Sequence, residues 1–507
     1  MVSQGDRQQR EEYQATETKT PKTNLHLAST GKIQVENEEL VTRMDKTFVR
    51  RRKMWVRPHV AERINKRRKA TDWVRALGNY VPMYFVGEFV RDRYLGKVSK
   101  NVTVMATGTR GQVKEMINRL NINYKNKDDN NDIFVFDMDD ITIELTPIDA
   151  QSLVRELADK PFTVDAIAQS VTGQFYDPFK GLNDLHDRVL RTPYNSSDKV
   201  FKKNPLAILE AAKYVGDYQL EPHPSVLKAI PKNKDGLKKI SPKKIGGIFS
   251  QIMMTSKPYI ALEFMKDQDL LKYIHPSLEK MVGVKQKNKK YVGDVWEHTM
   301  TALKAANSQD LGLNLAILLH DIGKPSTSVN NGEDFPKHAD KGADITIAML
   351  SRLQFDKDVV NRVANLVRCH EFIQVKAHVA TSDDYRKLKL EMGEDIDRLV
   401  SLARADCDAY KDKGSKHVDR AAKRFEKASI ADPEKTLSPL NDNEIMEVGE
   451  IQEGPIVSEI RKYLHNKVVY GKLSSADKRA AAKLVRGYIN RELIKSIDDL
   501  MVLFNEQ

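Results

Sequence analysis

The period of the hydrophobic positions changes near residue 185. Before it, short apolar and alternating runs dominate. Met83–Val86 is a four-residue apolar strand, Gly87 opens a helix over Glu88–Leu95 that Gly96 ends, and Asn101–Met105 alternates as a strand does. Gln112–Leu120 is helical. Asp132–Phe136 and Asp140–Leu145 read as a hairpin turning at Asp137–Asp139. Strand, helix, strand, helix and hairpin in this order predict a small α/β head over residues 80–185. After it, Pro205–Val215, Ile245–Met254, Tyr259–Phe264, His298–Ala306, Leu313–His320, Ala343–Leu353 and Val359–His370 all carry helical periodicity. The expected class is multidomain α+β: the head, a mostly α-helical neck and body (186–282), a helical domain (283–410) and a helical tail (411–507). Residues 1–43 are polar with no sustained apolar period, which predicts disorder. Residues 44–79 read as one or two basic helices with an apolar stripe that includes Phe48, Trp55, Ile64 and Trp73.

Length supports this division, because 507 residues exceed what one hydrophobic core usually holds. Lys+Arg 83 against Asp+Glu 71 gives a net charge of +12. That balance suits a polyanion such as RNA. Arg51, Arg52, Arg67, Arg68, Lys243 and Lys244 are the candidate phosphate contacts, with a further basic stretch at 411–427. Cys369 and Cys407 are the only cysteines, which excludes a disulfide framework and a thiolate metal cluster. The longest apolar runs are too short to cross a bilayer, and the polar start has no signal-peptide core. A cytoplasmic protein with no membrane partner is the expectation.

Chemistry enters with His298, His320, Asp321, His338, His370 and Asp406. All but His338, in a loop-like stretch, lie on or at the end of amphipathic or apolar helices, so several helices can aim them into one bundle interior. Imidazole suits Mn, Fe, Co, Ni or Zn, and a carboxylate can bridge two ions. Asp321 directly follows a candidate ligand and is placed to bridge. Two such ions would polarise a phosphoryl group and acidify a bound water. The two cysteines beside His370 and Asp406 point away by helical geometry and are expected to pack as small apolar residues.

Together with the stretch His320-Asp321-Ile322-Gly323-Lys324-Pro325, these residues resemble the HD-domain metal-dependent phosphohydrolases. The resemblance implies that His298, His320, Asp321 and Asp406 hold one metal and that His338 and His370 hold a second. It also implies catalytic roles for Asp321 and Lys324, with Lys324 contacting a substrate phosphate.

A second resemblance runs from about residue 80 to about 490. Gly87-Glu88-Phe89-Val90-Arg91-Asp92, Phe162-Thr163-Val164-Asp165-Ala166 and Asp177-Pro178-Phe179-Lys180-Gly181-Leu182 are similar to motifs of the class II tRNA nucleotidyltransferases and poly(A) polymerases. In that family two metal-binding aspartates follow the position of Lys100. Asn101 and Thr103 stand there instead, and neutral side chains hold divalent cations poorly. Glu144 matches the third carboxylate. Glu88 replaces a glycine that lies close to the triphosphate. The base-selecting stretch, at Lys203–Glu210, lacks its aspartate and both arginines. Gly87, Arg91, Asp92, Asn101, Thr103 and Glu144 therefore read as a vestigial nucleotide site, and Mg2+ is not expected at the head. Asp137-Met138-Asp139 has the spacing of a relocated pair but falls at the expected hairpin tip.

The leading expectation is a phosphatase or 2′,3′-cyclic phosphodiesterase that acts on an RNA terminus or a nucleotide. It would be carried on a scaffold that binds RNA, as tRNA or at 3′ ends. An active but divergent nucleotidyltransferase and a non-catalytic RNA-binding protein are the alternatives.

Overall fold

The structure is a computed structural model. It describes residues 58–490 except 98, 100, 127–132, 139–140, 287–292, 411–413, 429–437 and 470–471, and leaves out the side chains of 58–65 and 67. The described residues from Lys66 onward form one compact unit. The expected disordered segment 1–43 lies outside the described residues, as do Arg51 and Arg52 and the side chain of Arg67.

Helix α1 (Pro58–Leu77) leads into a head built on seven strands: β1 (Met83–Val86), β2 (Asn101–Thr107), β3 (Lys125–Asn126), β4 (Phe134–Met138), β5 (Ile141–Ile148), β6 (Ala168–Ser170) and β7 (Phe175–Tyr176). Their order across the sheet is β3-β4-β5-β2-β1-β6-β7. Only β2 and β5 run parallel among these pairs. Alternation sorts the side chains, since successive residues of a strand face opposite ways. Phe85, Val102, Val104, Phe134, Phe136, Ile143 and Leu145 are buried in one core with Ala70 and Val74 of α1 and with Val113 and Ile117 of α3 (Arg110–Arg119). Asn101, Thr103 and Glu144 fall on the opposite face, because Thr103 pairs with Glu144 and Asn101 with Thr142. Between β1 and β2 lies α2 (Glu88–Tyr94). Gly87 opens it at φ 65°, ψ −132°, a conformation that glycine adopts without the cost a Cβ would bring.

The hairpin of β4 and β5 forms, with one correction. Asp137 is not at a turn but inside β4, opposite Thr142. Its carboxylate accepts from Lys125 Nζ at 2.8 Å and from the Thr142 hydroxyl at 3.2 Å. Asp139 lies outside the described residues.

Beyond the head, the body contributes α4 (Ala207–Tyr218), α5 (Pro242–Met253) and α6 (Pro258–Asp267). One buried network ties head to body. Arg91, 1 % exposed, donates to Asp92, Asp165 and the hydroxyls of Tyr214 and Tyr218 on α4. The Tyr218 hydroxyl donates in turn to Asp92 at 2.7 Å.

The next domain packs α7 (Val295–Ala306), α8 (Leu311–Leu319), α9 (His338–Arg352), α10 (Lys357–Cys369) and α11 (Ile396–Asp408). Helix α8 is apolar on every side except at Asn314, which donates to Met253 O at 2.8 Å, as a helix enclosed by others should be; Leu315, Ala316, Ile317, Leu318 and Leu319 are all 0 % exposed. Its start is fixed by Asp310, whose carboxylate caps Leu313 N at 2.9 Å and accepts from Arg398 of α11 at 2.8 Å. A capping box between Asp294 and Glu297 starts α7. The tail adds α12 (Lys416–Lys427), packed on this domain. A separate small core follows around α13 (Asp442–Gly449) and α14 (Pro455–Val469). No helix among the described residues is long and apolar enough to cross a membrane.

Candidate metal centre

All six ligand candidates come together, between 0 and 7 % exposed. His298 lies on α7, His320 and Asp321 follow the last residue of α8, His370 follows α10, and Asp406 lies on α11. His338 was expected in a loop. It is instead the first residue of α9. Gly323 makes that approach possible: a Cβ there would sit 2.1 Å from the His338 carbonyl oxygen. Only a glycine lets the HD turn and α9 lie so close.

The side chains form two groups that share Asp321. His298, His320 and Asp321 offer ligand atoms within 4.8 Å of one another, and so do Asp321, His338 and His370. Asp321 Oδ2 faces His320 Nε2 at 3.2 Å, whereas Oδ1 faces His338 Nε2 at 3.3 Å and His370 Nε2 at 3.8 Å. Asp406 Oδ1 lies 2.8 Å from His298 Nε2 and 3.8 Å from His320 Nε2.

The hydrogen bonds set the tautomers. A backbone carbonyl only accepts, so an imidazole nitrogen bonded to one must carry the proton. His320 Nδ1 donates to Ile317 O (2.8 Å), His338 Nδ1 to Phe335 O (2.9 Å) and His370 Nδ1 to Val367 O (2.6 Å). In the neutral rings each Nε2 is then a lone pair aimed into the cluster. His338 Nε2 and His370 Nε2 stand 3.2 Å apart, two lone pairs facing each other unless a cation lies between them. The buried His320 Nε2 makes no hydrogen bond. This donor set, three oriented imidazoles around a shared carboxylate, fits divalent transition metals.

Without metal, protons supply the compensation. Burial lowers the His320 pKa, but Asp321 and then Asp406 outweigh it and push it up to about 9. Burial, with the His320 charge, pushes His370 down to about 3. Burial would raise Asp321, yet His320 and Lys324 hold it well below the usual carboxylate range.

Lys324, expected against substrate phosphate, is 3 % exposed. Its ammonium donates to Asp321 Oδ2 at 2.6 Å and to Gln286 Oε1 at 2.7 Å, and lies 5.3 Å from the centre of the Phe335 ring. The structure thus places it as the charge partner of Asp321. Burial pushes both cysteine thiols up to about 11, and neither joins the ligand groups.

Sequence reasoning passed over Gln374, Tyr410 and His417. Gln374 donates to Asp406 Oδ2 at 2.8 Å, the Tyr410 ring lies 5.3 Å from that of His298, and His417 bonds Gln374 at 2.9 Å. The position of Gln374 one turn beyond His370 was the available signal, because residues four apart share a helix face.

The head presents a different picture. Asn101 is exposed, Thr103 and Glu144 are half-buried, and Glu144 is the one carboxylate among the three. Asp137, two strands over from Asn101, is roughly 10 Å away by strand spacing, so it does not restore a pair. Arg91 and Asp92 lie in the buried junction with the body. Glu88 is half exposed at the start of α2. Of the basic candidates, Lys243 and Lys244 are exposed at the start of α5, and Arg68 is exposed 3.9 Å from Asp72.

Residues 295–410 match the HD domain family, and residues 219–281 match the family described as "Probable RNA and SrmB- binding site of polymerase A". The multifunctional CCA protein of Acinetobacter baumannii (strain AYE) is 25 % identical over 240 residues, 44 % of this chain and 57 % of that protein. That of Tolumonas auensis is 26 % identical over 215 residues, 41 % of this chain and 52 % of its own. The chain thus spans little more than half the length of these relatives. In fold it is similar to the Bacillus stearothermophilus CCA-adding enzyme in complex with CTP, with a TM-score of 0.64 at 18 % identity over 84 % of this chain and 98 % of that one. A CCA-adding enzyme complexed with ATP gives a TM-score of 0.52 at 16 % identity over 87 % and 98 %.

Proposed function

We propose that this chain, which carries an HD domain on the fold of the CCA-adding enzymes, is a metal-dependent phosphohydrolase that acts on an RNA terminus or a nucleotide. A phosphatase or 2′,3′-cyclic phosphodiesterase reaction fits best. The observation that carries this reading is the shared Asp321: one buried carboxylate, its two oxygens turned to two sets of imidazoles. His298, His320, Asp321 and Asp406 would hold one ion, with His338 and His370 completing the second site. Bound ions would supply Lewis-acid polarisation and an acidified water. The chain's own residues prepare the centre. The carbonyls of Ile317, Phe335 and Val367 fix three imidazole tautomers, and His320 with Lys324 keeps Asp321 ionised against its burial. The neck and body, with Lys243 and Lys244, would hold tRNA or another RNA by its phosphates.

Asp321→Ala tests this reading. The expected result is loss of both metal and hydrolysis of cyclic phosphates, nucleotides or RNA ends, with RNA binding retained. A wild-type protein that hydrolyses none of these with metal supplied would sink the proposal in favour of a non-catalytic binder.

The fold likeness favours a second reading, an active nucleotidyltransferase head. Against it stand Asn101 and Thr103 beside a single Glu144. Incubation with tRNA lacking its 3′ end and labelled CTP or ATP decides. No transfer is expected, and robust transfer that survives Asn101→Ala would overturn the inactive-head reading.

A further inference from the structure

Asp406 has two oxygens with different surroundings. Oδ1 faces His298 Nε2 and His320 Nε2, the side where an ion would sit. Oδ2 faces the other way and accepts from Gln374 Nε2 at 2.8 Å. The same amide nitrogen donates to Ala403 O at 3.1 Å. Both acceptors can only accept, so they fix the amide with its nitrogen toward Asp406 and its oxygen outward. That oxygen faces His417 Nε2 at 2.9 Å and therefore requires a proton on Nε2. A directed chain results, from the His417 N–H through the Gln374 amide to Asp406 Oδ2.

Its two members come from unlike places. Gln374 lies in a π-helical turn (Phe372–Lys376) just after His370. Such turns inside helices occur frequently at functional sites. His417 lies on α12, beyond the residues 295–410 that match the HD domain. Helix α12 is firmly seated. Arg424 donates to Ala377 O and Ala380 O at 2.9 and 2.6 Å, Lys389 donates to Phe425 O and Ala428 O, and Val418, Ala421 and Phe425 are buried beneath it.

We propose that Gln374 and His417 are positioning residues for the metal centre: they hold Asp406 as a one-oxygen ligand through Oδ1 and make the tail helix α12 part of the site. This rests on the reading of the histidine and aspartate cluster as a metal site. Outer groups that orient a ligand typically change metal affinity 10–100-fold when removed.

The test is Mn2+ binding by the full-length protein, followed through the paramagnetic resonance signal of the free ion, with metal-free urea unfolding alongside. Gln374→Leu and His417→Ala are expected to bind Mn2+ about 10–100-fold more weakly than wild type. His417→Gln, whose amide can still donate to Gln374, is expected to recover most of the affinity. His417→Ala and His417→Gln should unfold at the same urea concentration, which separates orientation of the ligand from general stability. Wild-type affinity in both Gln374→Leu and His417→Ala would overturn the proposal, and so would a His417→Gln protein as weak as His417→Ala. If Gln374→Leu does not fold, the two His417 variants, at a half-buried position, decide alone. A wild type that binds no more tightly than Asp321→Ala would instead remove the metal site itself, and this inference with it.

Discussion

Replacing Lys324 by Met removes one charge from the interior while a chain of similar length fills its path. In the wild type Nζ lies 2.6 Å from Asp321 Oδ2, with side chains 3 % and 2 % exposed. Hydrogen bonds to charged groups are worth roughly 1.5–3 kcal/mol, and removing one partner of a buried ion pair costs about 3–5 kcal/mol. His320 still faces Asp321 in the variant, so the lower end applies, and a loss of about 3 kcal/mol is expected in the metal-free protein. Urea unfolding at pH 7 in the presence of a chelator measures it. The sign with pH follows from Asp321. Burial opposes its ionisation, but His320 and Lys324 hold its pKa well below the usual range. Its contribution is therefore complete above the ordinary carboxylate pKa and is lost only as pH falls through the depressed value. Weakening that depression should move the acid end of the stability curve to higher pH. At the proposed metal site, added Mn2+ would supply the missing positive charge and should narrow the gap between variant and wild type. Equal stability of the two metal-free proteins would refute the pairing and return Lys324 to a substrate-facing role.

Three further outcomes follow from other residues. Arg91→Met leaves Asp92 and Asp165 buried without their cation and should destabilise the junction of head and body by about 3–5 kcal/mol, seen as earlier urea unfolding and faster proteolysis. Asp310 titrates low because Arg398 and the Leu313 N–H outweigh its burial, so its contribution is present above the ordinary carboxylate pKa and fades as pH falls through the lowered one; Arg398→Met should unfold at higher pH in an acid titration followed by circular dichroism. Lys243→Ala with Lys244→Ala should weaken tRNA binding across sequences and reduce the slope of log affinity against log salt by about 1 for each phosphate left without its lysine, read by fluorescence anisotropy.

The head strands and the long helices were legible because their signals are local. Alternation in Asn101–Met105 and the apolar run Leu313–Leu319 each name their element without help from the rest of the chain. The convergence of the six candidate residues was legible for a related reason: imidazoles and carboxylates at the ends of apolar helices are costly to bury unless something pairs with them. What the sequence hid depends on distance in space. His338 reads as a loop residue because turn-forming residues such as Asn331, Gly332 and Pro336 precede it, yet the structure starts α9 at His338, against Gly323. Asp137 is a good turn residue, yet pairing with Thr142 keeps it in the strand. Lys324 carries the same motif position whether it faces substrate or Asp321, and only burial separates the two. His417 lies well past Asp406 in sequence, and nothing local says that α12 folds back onto the domain.

The uneven survival of the nucleotidyltransferase pattern has a physical basis in where its residues lie. Arg91 and Asp92 match the family, and both sit in the buried network with Asp165, Tyr214 and Tyr218 that joins head to body. Arg91 removed would leave Asp92 and Asp165 without their cation in the interior, and Asp92 removed would take a buried acceptor from Arg91, Ser99 and Tyr218. Gly87 matches as well, at a backbone angle that a side chain would strain. Asn101, Thr103 and Glu88, the departures, lie on the open sheet face or at an exposed helix start, where packing constrains them little. A motif read along the sequence mixes residues that the fold requires with residues that only the chemistry requires. In this head Gly87, Arg91 and Asp92 are of the first kind, and Asn101 and Thr103 stand at positions of the second, beside the matching Glu144. In the HD domain the candidate ligands are themselves buried, 0 to 7 % exposed, where polar groups are costly unless something pairs with them. Replacing such buried polar groups by apolar ones would often be neutral or stabilising for the fold alone, so their presence together supports the metal-site proposal.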